Sequence, residues 1–233
     1  MPRFLLIHGS CFGAWCWRDV LPFLDNAAAI DLPGHGADRT PIAQVTLGLY
    51  AEVIAKHLTE PTILVGHSMA GYPITAAAEL APANIRALVY LCAYVPKSGE
   101  SIASMRRAGP RQPLAPAIRV SADRRSFSFD PAMTAQAFFH DCPPETRAFA
   151  ARNLCPEPIA PQETPLCQTG RSAHIPRHYI RCTQDRAIPP EYQEAMTKGW
   201  PAENITTLPC SHSPFFAAPE ALARHLIQIA QTA

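Results

Sequence analysis

The stretch Thr62-Ile63-Leu64-Val65-Gly66-His67-Ser68-Met69-Ala70-Gly71 decides how this chain is read. A short apolar run of strand-forming side chains ends in a turn of small residues with one serine at its apex. Gly66, two positions before Ser68, and Ala70, two after it, leave room for a strained strand-to-helix turn that exposes a serine hydroxyl. The usual pattern is G-x-S-x-G, whereas here alanine holds the fifth position and the second glycine comes one later, at Gly71.

Outward from that turn, short apolar runs alternate with amphipathic stretches, the pattern of βαβ units around a parallel sheet. Strands are predicted over 3–8, 27–31, 62–65, 87–91, 177–182 and 204–208, and helices over 15–24, 47–58, 69–80, 190–198 and 219–230. The starts at Pro190-Glu191 and Pro219-Glu220 put proline in a first turn with an acid beside the positive helix end. This predicts an α/β fold with a mostly parallel sheet of about six strands flanked by helices. The alternation stops at Pro96 and resumes near Arg177. The stretch 96–176 is rich in proline but carries Phe127, Phe129, Phe138, Phe139 and Phe149. Such apolar anchors are absent from disordered linkers, so this stretch is read as a helical lid inserted between core segments 1–95 and 177–233 of a single domain.

A chain of 233 residues with 48% hydrophobic content can bury a large core. Its formal charge of +1 leaves no basic footprint for nucleic acid, and no apolar run approaches the roughly 18 residues of a membrane span. Phe4-Leu5-Leu6-Ile7 is shorter than a signal-peptide core and reads as a first buried strand, so a cytoplasmic protein with a small-molecule partner is expected. The eight cysteines are expected to be reduced and mostly buried. They include no CxxC pair, there is no HExxH, and neither metal nor cofactor is called for. A homodimer is left open.

A serine hydroxyl is a weak nucleophile at neutral pH, so Ser68 needs a general base, and that base needs a third group to fix its tautomer. Asp185 follows the predicted strand 177–182, and His212 follows the strand 204–208. Both then sit on loops at the carboxyl edge of the sheet, where Ser68 also lies and where α/β folds collect their ligands. The order Ser, Asp, His matches a hydrolase arrangement. Asp123, Asp130 and Asp141 are rival acids but fall within the lid. An oxyanion hole needs two backbone N–H groups, one from the residue after the nucleophile and one from the loop after an earlier strand. Met69 supplies the first, and Ser10 in His8-Gly9-Ser10-Cys11-Phe12-Gly13 is chosen for the second. Gly9 and Phe12 on that loop are expected to meet the substrate. His8 and His67 are read as buried hydrogen-bonding groups. The lid arginines 106, 107, 111, 119, 124 and 125 outnumber nearby acids and are read chiefly as solvated surface.

These motifs, with Asp31-Leu32-Pro33-Gly34-His35-Gly36 and Cys182-Thr183-Gln184-Asp185-Arg186, resemble the α/β-hydrolase superfamily. More narrowly they resemble the branch holding plant methylesterases, the salicylate-binding esterase and the hydroxynitrile lyases. The likeness spans the core and fades in the lid. It implies Ser68 as nucleophile with Asp185 and His212 as partners. The lyases of this branch carry a threonine after the first histidine of the opening motif and a lysine after the catalytic histidine, the lysine holding cyanide by its charge. This chain has Gly9 and Ser213 there, so the resemblance implies ester hydrolysis over cyanohydrin cleavage, and the phenylalanines of the lid point to small, largely apolar substrates. A lyase, an amidase, a thioesterase or a receptor-like binder on the same fold are the alternatives.

Overall fold

The computed structural model describes residues 2–232. Among these described residues nine strands run β1 Arg3–Ile7, β2 Ala27–Ile30, β3 Thr62–His67, β4 Ile85–Leu91, β5 Ile118–Val120, β6 Ser126–Phe129, β7 Glu157–Pro158, β8 Arg177–Cys182 and β9 Ile205–Leu208. Six of them form one sheet in the order β2-β1-β3-β4-β8-β9, every neighbouring pair parallel. The α-helices among the described residues are α1 Leu47–Lys56, α2 Gly71–Leu80, α3 Ile102–Ala108, α4 Pro131–Phe138, α5 Pro144–Asn153, α6 Ile159–Glu163, α7 Pro190–Met196, α8 Pro214–Ala217 and α9 Pro219–Thr232.

A parallel sheet needs both faces covered, and its central strands are largely apolar for that reason. Alternate side chains feed two cores. Leu5, Ile7, Leu64, Leu88, Tyr90 and Tyr179 pack on one face, and Phe4, Leu6, Ile63, Val65, Val89 and Ile180 on the other. Burying each such side chain contributes about 1.5–3 kcal/mol, which makes the sheet a stiff platform for whatever its carboxyl edge carries. No helix among the described residues is long and apolar enough to cross a membrane.

The predicted strands appear within one or two residues of their expected limits. The helix expected over 15–24 does not form; two short 3-10 turns, Ala14–Trp17 and Leu21–Phe23, stand there instead. Pro22 has no N–H to give to a helical ladder at that point. The segment between β4 and β8 is not purely helical either. Alongside helices α3 to α6 it builds a three-stranded antiparallel sheet in the order β5-β6-β7. All eight cysteines are free thiols, six of them buried.

Candidate active site

β3 ends at His67, and the chain turns at once into a 3-10 turn, Ser68–Ala70, that leads into α2. Ser68 holds φ +57°, the left-handed region that a side-chain-bearing residue adopts only under constraint. Close packing beneath the turn supplies that constraint: a Cβ on Gly66 would lie 2.7 Å from the Ala70 carbonyl oxygen, and one on Gly71 would collide with that of Tyr94. The Tyr94 N–H also donates to the Ser68 carbonyl at 3.0 Å.

Three residues expected from the sequence meet here. Ser68 Oγ lies 2.9 Å from His212 Nε2, and His212 Nδ1 lies 2.7 Å from Asp185 Oδ2. The carboxylate has no freedom to turn away. Its Oδ1 accepts from the N–H groups of Ala187 at 2.7 Å and Ile188 at 3.0 Å, and its Oδ2 also accepts from Gln193 Nε2 at 2.9 Å. Because an ionised carboxylate only accepts, His212 Nδ1 must carry the proton, which leaves Nε2 as the acceptor for the Ser68 hydroxyl. The rival acids are occupied elsewhere: Asp123 accepts from Ser121, Asp130 caps α4, and Asp141 accepts from the Ser211 N–H at 2.7 Å.

The opening loop lies against this constellation. Ser10 and Met69 line a pocket with Ser68 and His212, and the Ser10 and Met69 N–H groups donate to no described residue. Phe12 lines the same pocket, but its ring is almost wholly buried among Trp15, His67, Phe138, Phe139 and Phe215, so it serves as a wall. Gly9 is not among the lining residues. A Cβ there would sit 2.6 Å from His67 Nδ1 and 2.9 Å from Ser68 Cβ, so the glycine's part is to let the loop lie close behind the serine. A threonine in its place would not fit without moving the elbow. Ser213 is fully buried, and no cation stands beside His212 at that position.

The two expected structural histidines are neutral. His8 donates from Nδ1 to the Gly9 carbonyl at 2.9 Å and accepts at Nε2 from the Leu32 N–H at 3.0 Å; burial and the nearby His35 push its pKa down to about 3. His67 donates from Nε2 to the His212 carbonyl at 2.8 Å, and burial beside His212 holds it well below the ordinary histidine range. His67, Cys92 and His212 place donor atoms within 4.8 Å of one another. Both His67 Nε2 and Cys92 Sγ are turned to the His212 carbonyl, so this cluster reads as a hydrogen-bonded brace.

From the segment between β4 and β8, Ile102, Leu114, Phe127, Phe129 and Phe138 line the pocket. Of that segment's arginines, Arg111 pairs with Glu191 and Arg119 with Asp130, both outside the pocket; Arg106 lines it. Three polar residues belong to the site that sequence reasoning missed. Gln193 holds Asp185, Gln162 lines the pocket, and Glu157 accepts from the Cys11 N–H. Gln193 was detectable as a polar residue at an apolar-stripe position of α7. Glu157 and Gln162 sit in a proline-rich run that has no period to read.

A family model described as the alpha/beta hydrolase family matches residues 4–225. Methylesterase 17 of Arabidopsis thaliana is 29% identical, over 98% of this chain and 91% of its own length. A chloroplastic protein of the same plant named methylesterase 13 is 30% identical over 98% of this chain, which spans only 56% of that relative's length. Among solved structures, a pyrethroid hydrolase from Sphingobium faniae superposes with a TM-score of 0.88 at 27% identity, covering 99% of this chain and 97% of its own.

Proposed function

This chain belongs to the alpha/beta hydrolase family, and from that premise we propose that it is a carboxylesterase-type serine hydrolase acting on esters of small, largely apolar groups. The observation that carries the reading is the unbroken hydrogen-bonded line from Ser68 through His212 to Asp185 at the floor of an apolar pocket. Ser68 Oγ attacks the ester carbonyl while His212 Nε2 takes its proton. The carbonyl oxygen gains negative charge and is met by the Ser10 and Met69 N–H groups, which are already in place and unpaired. Collapse of the tetrahedral species expels the alcohol, to which His212 returns the proton. Water, deprotonated by His212, then releases the acid and restores Ser68. Asp185 fixes the imidazole tautomer and stabilises its positive charge without taking the proton.

The names of the relatives support an ester as substrate. The lack of room for a larger side chain at Gly9 and the absence of a cation at Ser213 favour ester hydrolysis over cyanohydrin cleavage. The test is Ser68→Ala assayed on p-nitrophenyl acetate, together with a fluorophosphonate probe on the unaltered protein. Loss of turnover on the order of 10⁶-fold and a single adduct on Ser68 are expected. Undiminished hydrolysis by the variant would overturn the mechanism.

A further inference from the structure

Glu157, the first residue of β7, is fully buried, and its carboxylate meets three donors: His35 Nε2, the Cys11 N–H and Gln162 Nε2, each at 2.9 Å. Burial opposes its ionisation, but the adjacent His35 and these hydrogen bonds outweigh it and hold Glu157 below the usual carboxylate value. An ionised carboxylate accepts and never donates, so Gln162 has to turn its NH₂ group toward Glu157. The same Gln162 Nε2 lies 3.0 Å from Ser10 Oγ. Its second hydrogen therefore goes to Ser10, and the Ser10 oxygen is the acceptor. That leaves the hydroxyl hydrogen of Ser10 to donate elsewhere, and no described residue takes it. Ser10 is part of the lining of the pocket that holds Ser68 and Met69.

We propose that the Ser10 hydroxyl is a third hydrogen-bond donor to the reacting oxygen of the ester, beside the N–H groups of Ser10 and Met69, and that Gln162 and Glu157 are positioning residues that keep it a donor. The inference rests on the serine-hydrolase reading. No proton is transferred; the hydroxyl shares its hydrogen with an oxygen whose charge grows as Ser68 attacks, so the contact strengthens in the transition state and adds little to ground-state binding. The loop is pinned for this task. Cys11 holds φ +66°, a conformation disfavoured for a side-chain-bearing residue, and its N–H is committed to the Glu157 carboxylate.

The test measures kcat and KM on p-nitrophenyl acetate for Ser10→Ala, Ser10→Thr, Gln162→Leu and the Ser10→Ala/Gln162→Leu pair. Each kcat is normalised to active sites titrated with the fluorophosphonate, so that misfolded protein does not count. Ser10→Ala is expected to lower kcat by about 10²-fold with KM unchanged, the size and pattern of a lost oxyanion donor. Ser10→Thr, which keeps a hydroxyl, is expected to recover most of that loss. The pair is expected to be no worse than Ser10→Ala alone, because Gln162 acts through that hydroxyl. Full kcat in Ser10→Ala, or losses that multiply in the pair, would overturn the proposal. Retained hydrolysis in Ser68→Ala would instead remove the reading beneath it.

Discussion

Gly71 meets a constraint that the elbow pattern would assign one position earlier. A Cβ at 71 would strike the Tyr94 carbonyl, whereas the side chain of Ala70 is accommodated and fully buried. The shifted glycine is thus fixed by the loop after β4 and not by the serine alone. Gly71→Ala is expected to destabilise the protein by about 1–3 kcal/mol through overpacking, and Ala70→Gly by no more than about 1 kcal/mol, both read from urea unfolding. If the two variants unfold alike, the Tyr94 contact is not what selects glycine there. At Asp185, substitution by asparagine would let an amide N–H face His212 Nδ1 and favour the wrong tautomer. A fall in kcat of about 10⁴-fold with the fold intact is expected, measured by steady-state kinetics beside a thermal melt.

At the scale of elements, β7 reaches back to the loop after β2 through the Glu157–His35 pair, both side chains wholly buried. Burial by itself would lower His35, but the Glu157 carboxylate reverses this and raises it above 6.5, while Glu157 is held below 4.5. The contribution of Glu157 is complete above about pH 4.5 and is lost as pH falls through its folded value. The contribution of His35 is complete below about pH 6.5 and is lost as pH rises through its folded value. The gap in melting temperature between the unaltered protein and Glu157→Gln is therefore expected to be widest between those two limits and to narrow on either side. Within that window the loss is expected to be about 3 kcal/mol, the lower end for breaking a buried pair. A gap that stays constant with pH would mean the two groups are not ionised together. Nothing local in Pro156-Glu157-Pro158 announces this pair, because its partner is 122 positions away. Asp185 and His212, by contrast, were legible from their places just after apolar runs.

The whole molecule separates what a sequence displays from what it hides. The parallel sheet was legible because strands buried on both faces must be apolar, and turn residues bound each run closely. The stretch between β4 and β8 was not, since its hydrogen bonds run to the sheet's loops at scattered positions: Cys155 N–H to the Cys11 carbonyl, Ser211 N–H to Asp141, His140 to the Gln184 carbonyl. Thiol chemistry reads out the same compactness. Burial lifts the pKa of Cys92 to about 12 and that of Cys155 to about 11, whereas Cys167 is exposed. One rapid equivalent of Ellman's reagent is expected in the native protein and eight after unfolding; several rapid equivalents without denaturant would mean the cores open readily.

Because Glu157 and Gln162 lie between β4 and β8 while Ser10 and Cys11 lie in the loop after β1, the stretch between β4 and β8 is not a cassette. Replacing residues 96–176 would keep every residue of the Ser68 line and yet remove the Glu157 and Gln162 contacts that hold the first loop. In this chain the opening loop and the stretch around Glu157 therefore act as one unit split across the sequence.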